Sequence, residues 1–200
     1  VAPVDVSNIQ SLSNFCTNNG MFFNGIIDKA VNIVEYISKV SLFYFLSFIS
    51  IGGKYKFLPI LPITGSNTID NTALTPVATF TEANIVQGSF QKGYLSVEAR
   101  RDFIANCIYT DCIPTEVSRR KTTSVRFTST SLDAPIEQFD LSDFCTSVDH
   151  AILYAKYELS RRKHSTHNIS FQTNLLTTTL EPTNIIKLLY KIHMTYNLFF

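Results

Sequence analysis

The chain has 200 residues, a net charge of +1, and only 16% charged positions against 45% apolar ones. That balance excludes wholesale disorder and is sufficient for a sizeable core. It also excludes a global field that would gather nucleic acid or an acidic membrane surface.

Residues 1–19 are rich in Asn and Ser and are expected to form a polar N-terminal segment, ended by the turn signal Asn19-Gly20. Residues 20–63 read as a helix–strand unit. MFFNGI is a short strand candidate broken at Asn24-Gly25, and Asp28 opens a helical pattern. Val31, Val34, Ile37, Leu42, Phe45 and Ile49 keep to one side of it, and Gly52-Gly53 stop it, which predicts a helix over 28–51. Its second half, VSLFYFLSFISI, is apolar nearly all round. A bilayer span needs about 20 apolar residues, so this run is read as a core or interface helix with no stable membrane insertion. A helix apolar on every side needs cover on more than one face. Leu42, Phe43, Phe45 and Phe48 are therefore the interface candidates, with a neighbouring subunit as the expected cover.

KYKFLPILPI, with two prolines, reads as an edge strand running into a loop. Residues 64–76, TGSNTIDNTALTP, are the clearest linker, and 77–200 read as a strand-rich domain. Within it, TEANIVQGSF is expected to form a short helical turn capped by Thr81 with an exit at Gly88. Strands are expected over 94–109 and 122–130, where β-branched and aromatic residues concentrate. The basic runs Arg119-Arg120-Lys121 and Arg161-Arg162-Lys163 lack interleaved aromatics and read as solvated element ends.

FDLSDFCTSVDHA, residues 139–151, holds three aspartates, a cysteine and a histidine. The aspartates are accounted for as helix punctuation: Thr146 precedes Asp149 at capping-box spacing, opening a helix over 146–163. Val148, Ile152, Ala155 and Leu159 form its expected apolar face, with Ala151 beside them, and Glu158 and Arg162 an ion pair on the other side. A catalytic thiol needs a base and an orienting group. Cys145 and His150, five apart, are expected on different faces, with Cys145 buried and His150 exposed. Cys16, Cys107 and Cys112 complete the cysteines; there is no CxxC pair, and reduced thiols are expected. His164 and His167 fall in the loop after the helix, with neither Cys nor carboxylate between them. No catalytic, cofactor-binding or metal-binding residue is assigned, and no cofactor is implied. Beyond the helix, Ile169 and Phe171 share one strand face, and Ile186, Leu188, Tyr190, Ile192 and Met194 alternate in the most regular strand signal of the chain.

The stretch from Glu137 to Ala151, the pair Arg161-Arg162, the strand His167 to Thr173 and the turn Leu180-Glu181-Pro182-Thr183-Asn184 resemble, in this order, the central hub or tip-attachment proteins of bacteriophage tails, the family of host-specificity protein J. FNGIIDKAVNIVEYIS, IGGKYKFLPILP and FTEANIVQGSF upstream are similar to that family's helix, Gly-Gly strand and short turn, so the likeness covers roughly residues 20–190. Thr183-Asn184 stand where the family carries Gly-Asp, and residues 193–200 have no counterpart in it.

The resemblance implies an α+β fold of small β-barrel-type hub domains, with two main helices packed on antiparallel sheets. It implies a portion of a longer, non-enzymatic chain that self-associates into a trimeric ring at the distal tail. The implied partners are the tail tube, the fibres and the tape measure, with phage DNA only in passage. The implied location is the virion tail, after synthesis in the bacterial cytoplasm. Two other readings stay open on the residues: a tail-associated thiol or metal hydrolase using Cys145 or the late histidines, and a membrane-associated protein inserting residues 40–51.

Overall fold

The structure, a computed structural model, describes residues 4–70, 72, 75–111, 119–174, 180–190 and the backbone of 194–199. It is α+β, as expected. Among the described residues, three α-helices, α1 (Val6–Asn18), α2 (Ile33–Phe43) and α3 (Val148–His164), accompany ten short strands. β1 (Leu46–Ile51) and β2 (Lys54–Pro59) form an antiparallel pair. β4 (Gln91–Tyr94) pairs antiparallel with β8 (His167–Ser170). β5 (Ile104–Thr110) lies between antiparallel β6 (Arg120–Val125) and parallel β7 (Ile136–Asp140). β9 (Ile185–Tyr190) lies between antiparallel β10 (Met194–Phe199) and parallel β3 (Ala78–Thr81). All four sheets are open, so among the described residues no barrel closes.

The larger core joins distant parts of the chain. Leu12 and Phe15 of α1, Met21, the corner Tyr44–Phe45–Leu46, Ala105 and Cys107 of β5, Leu141, Phe144 and the inner face of α3 form one buried cluster. A smaller core of Phe80, Ile85, Ile169, Ile186 and Leu188 sits between the β9 sheet and the β4–β8 ribbon.

The polar segment expected at 1–19 contains a helix. Asp5 caps it, its carboxylate accepting from the Asn8 amide at 3.2 Å, and Gly20 closes it at a φ of 66°. Few apolar residues are needed, because Leu12 and Phe15, three apart, bury one narrow stripe.

The helix expected over 28–51 is corrected: it runs only over Ile33–Phe43, and the remainder of the apolar run is β1. Asn32 caps its start, accepting from the amides of Val34 and Glu35. Its end is set by Phe45, whose φ of 57° is uncommon for a bulky residue. Full burial against Tyr157 and Tyr154 holds it there. Gly52 and Gly53, with φ of 60° and 74°, are the two central residues of the β1–β2 hairpin turn, not a helix stop. A Gly-Gly pair between two runs of strand-forming residues is a hairpin signal, and a helical period imposed across it hides that.

Smaller shifts follow the same logic. The segment expected as one strand over 94–109 is the end of β4, a short 3-10 turn at Glu98–Arg100, and β5. Residues 82–84 turn without forming a helix, the Asn84 side chain accepting from the Thr81 amide at 2.6 Å, and Gly88 exits at a φ of 79°. The regular pattern expected to run from Ile186 to Met194 is divided between β9 and β10; Ile192 lies outside the described residues. At Thr183, where the resembling family has glycine, φ is 76°, and Asn184 closes the turn by accepting from the Glu181 amide at 2.9 Å.

Candidate functional site

Among the described residues, the cysteine–histidine pair at the start of α3 and the apolar surface of α2 with the segment before it are the features that offer chemistry or an interaction surface.

The loop from β7 to α3 is nailed to β5. The Leu141 amide donates to the Ile108 carbonyl at 2.9 Å, the Thr110 amide to the Cys145 carbonyl at 3.0 Å, and the Thr110 hydroxyl to the Ser142 carbonyl at 2.7 Å. Asp140 accepts from the Ser142 hydroxyl and amide; burial alone would raise its pKa, but these bonds and the Arg120 charge hold it below the usual carboxylate value. Ser147, not Thr146, caps α3, its hydroxyl accepting from the His150 amide at 3.4 Å. Thr146 instead accepts from the Asn24 side chain at 2.7 Å.

His150 was expected to be exposed; it is 2% exposed. Cys145 precedes the helix, so helical faces do not separate the two residues, and Sγ lies 3.6 Å from His150 Nδ1. His150 Nε2 donates to the Phe43 carbonyl oxygen at 2.8 Å, which makes Nδ1 the acceptor of the neutral ring. The Cys145 thiol also lies 3.3 Å from the Ser147 carbonyl. Burial pushes the thiol pKa up and the imidazole pKa down, the Phe43 bond only partly opposing the latter. An activated nucleophile needs the opposite shift in its thiol. The pair is a neutral thiol against a neutral imidazole, the latter tied to the end of α2.

The expected apolar face of α3 is rotated by about one residue. Ala155 and Leu159 are buried as expected, joined by Ala151, Tyr154 and Glu158, while Val148 is exposed and Ile152 half-buried. Glu158 pairs with Arg161 at 2.6 Å rather than with Arg162. Arg162 makes a two-pronged contact with Glu137 and lies 4.0 Å over the Phe103 ring. His164 ends α3 and His167 begins β8. Among the described residues no group of three or more His, Cys, Asp or Glu is placed to hold a metal ion. Cys112 lies outside the described residues.

α2 buries only Ser41. Ile33, Val34 and Leu42 on it are exposed, and so are Phe22, Phe23, Ile26, Ile27 and Val31 in the segment before it. That segment is anchored at one end. The Asn24 amide donates to the Phe144 carbonyl at 2.9 Å, the Tyr44 hydroxyl donates to the Phe22 carbonyl at 3.2 Å, and Phe23 stacks on Phe144. Gly25 passes so close to the loop that a Cβ there would sit 2.2 Å from the Asp143 carbonyl oxygen. An open apolar groove of about 320 Å³ lies beside it, lined by Met21, Phe23, Tyr36, Ile37, Val40 and Tyr44 among others.

Of the four interface candidates, Leu42 is 50% exposed. Phe43 is half-buried against Phe144 and Tyr154, and Phe48 half-buried against Tyr55 and Phe57 across the hairpin. Phe45 lies wholly inside the chain's own core. Ile26, read as part of a strand candidate, and Ile27 were not among the interface candidates. Their signal was present as large apolar residues beside Asn24-Gly25, outside any regular period.

No helix among the described residues is long and apolar enough to cross a membrane. By sequence, no protein family and no curated protein matches the chain. Its fold does match solved structures. One is a chain of the virion of a native gene transfer agent particle, with a TM-score of 0.55 at 12% identity over 93% of this chain and 42% of that one. Another is the tail protein from Neisseria meningitidis MC58, with a TM-score of 0.56 at 9% identity over 99% of this chain and 61% of that one. The chain thus spans less than two thirds of either neighbour.

Proposed function

We propose that the chain is a structural, non-enzymatic part of a phage-type tail, and that it works by self-association through α2 and the segment before it. The observation that carries this is an apolar helix with one buried residue, continued by an exposed apolar segment, on a fold shared with a tail protein and a virion chain. Contiguous exposed apolar patches mark interaction surfaces. The sequence resemblance supports the finer reading: a hub segment at the distal tail, in a ring of three, between the tail tube and the fibres or tip, with the tape measure and passing DNA inside.

Leu42 is the central interface residue in this proposal, with Phe43 and Phe48 at its margin; Phe45 shapes the surface from beneath. Sedimentation velocity of the chain at micromolar concentration tests it. Self-association is expected, weakened by Leu42→Asp and by Ile26→Asp, while Ser160→Asp on the exposed side of α3 leaves it unchanged. A stable monomer, indifferent to both changes, would end the proposal.

The proximity of Cys145 to His150 favours a second reading, a thiol hydrolase. Against it stand the raised thiol pKa, the burial of both groups and the commitment of Nε2 to Phe43. Particles carrying Cys145→Ala are expected to infect normally; loss of infectivity from correctly assembled particles would revive the enzymatic reading.

A further inference from the structure

One node of the structure ties the end of α2 and the start of the segment before it to α3, and among its residues His150 is the group able to change charge near neutral pH. The node joins three segments: Phe22–Asn24, the α2–β1 corner at Phe43–Phe45, and the loop and first turn of α3 from Phe144 to His150. His150 sits at its centre. Its Nε2–H is spent on the Phe43 carbonyl, its ring packs 5.0 Å from that of Tyr44, and its Nδ1 faces the Cys145 sulfur.

We propose that His150 is an acid-operated latch: neutral, it clamps the end of α2 to the start of α3, and protonated, it releases α2 together with the segment before it. The geometry gives the reason. A proton added at Nδ1 would point at a thiol sulfur, a weak acceptor. The positive charge would also stand in the first turn of α3, the end of a helix dipole that disfavours cations. The titratable groups facing the ring are the Cys145 thiol and the Tyr44 phenol, neither an anion near neutral pH. The sequence neighbours Asp143 and Asp149 are both exposed, and among the described residues no carboxylate is placed to favour a charged His150. A buried imidazolium there has no compensating charge.

The direction follows. The ordinary histidine value of 6.5 applies to the unfolded or released state, and the clamped state lies below it because the ring is desolvated. The released state therefore takes up the proton first as the pH falls. The clamp is at full strength above about pH 6.5 and weakens progressively below it. The latch is a property of the single chain and stands whether or not the apolar surface is used for assembly.

Amide hydrogen exchange of residues 22–44, corrected for intrinsic chemical rates, tests the latch at about pH 7.5 and about pH 5 on either side of the histidine value. Exchange is expected to quicken at the lower pH, while β5 is unchanged. His150→Gln keeps a donor for Phe43 and cannot charge, so its exchange should not respond to pH. Should that variant fold poorly, the ring titration of His150 in the unaltered chain serves instead, by NMR. Its midpoint should lie below 6.5, with exchange in residues 22–44 quickening as the pH falls from about 6.5 towards that midpoint. Equal pH response in both chains, no response in the unaltered chain, or a ring that titrates without any change in residues 22–44 would each overturn the latch.

Discussion

α2 and α3 invert the usual relation between composition and burial. α2, IVEYISKVSLF, has only Glu35 and Lys39 as charged residues, yet buries one side chain, Ser41. α3, VDHAILYAKYELSRRKH, ends in four basic residues, yet buries six, including His150 and Glu158. The difference lies in what each helix is laid against. α3 packs on β5 and β6, and Ala151, Tyr154, Ala155, Glu158 and Leu159 fall at helical spacing on one stripe. Its one buried acid is tolerable because Arg161 holds it at two points. α2 is pinned chiefly at its C-terminal end, through Phe43 and the corner at Phe45, and offers the rest of an apolar surface to whatever lies outside. A packed helix is defined by its neighbours, and hydropathy alone does not reveal them.

Substitutions can break that contrast or sharpen it. Leu159→Ala should destabilise the chain most, by about 2 to 5 kcal/mol, because the site is core and cannot fully collapse; urea unfolding reads it directly, and a change below about 0.5 kcal/mol would mean α3 does not bury this face. Arg162→Met keeps the stem over Phe103 but removes the contacts to Glu137, and a loss of about 1 to 2 kcal/mol is expected by the same measurement. Ser147→Ala should cost about 1 kcal/mol through the lost cap. Thr146→Ala, losing only an exposed bond to Asn24, should cost less; the reverse order would return the cap to Thr146. Smallest of all is Leu42→Ser on α2, expected within about 0.5 kcal/mol in the monomer. A large loss there would show that α2 is covered within the single chain, and would erase the difference between the two helices.

The thiols offer a check of another kind. Burial raises Cys16 to about 11 and Cys107 to about 12, and raises Cys145 as well. Native protein at neutral pH should therefore react slowly with iodoacetamide at all three, and quickly once unfolded. Fast labelling of Cys145 in the folded chain would show a thiolate that the buried pair with His150 does not provide.

Much of α3 was legible because its signals are local. An Asp-and-Ser-rich start, a stripe of aliphatic residues and a basic end all lie within one segment, and the cap, the face and the partner of Glu158 each moved by about one residue. The turn at Leu180 to Asn184 and the alternation of Ile186 and Leu188 were local in the same sense. The end of α2 was not. VSLFYFLSFISI suits a helix by hydropathy and a strand by its β-branched and aromatic content, and no residue inside it breaks either pattern. The Cys145–His150 contact was hidden for a related reason: spacing along a helix says nothing about a residue that stands before the helix begins.

By itself the sequence determined the sites of several turns, among them Asn19-Gly20 and Leu180 to Asn184, and the start of α3 to within a residue, because each rests on backbone preferences within a few residues. Tertiary structure alone decided that the apolar run splits at Phe45, that His150 turns inward to Phe43, and that α2 is left largely uncovered. In the first two cases the deciding partner lies far along the chain: Tyr157 beside Phe45, and Phe43 more than a hundred residues before His150. An αL phenylalanine and a buried neutral histidine are both unfavourable locally, and only contacts brought together by the fold make them stable.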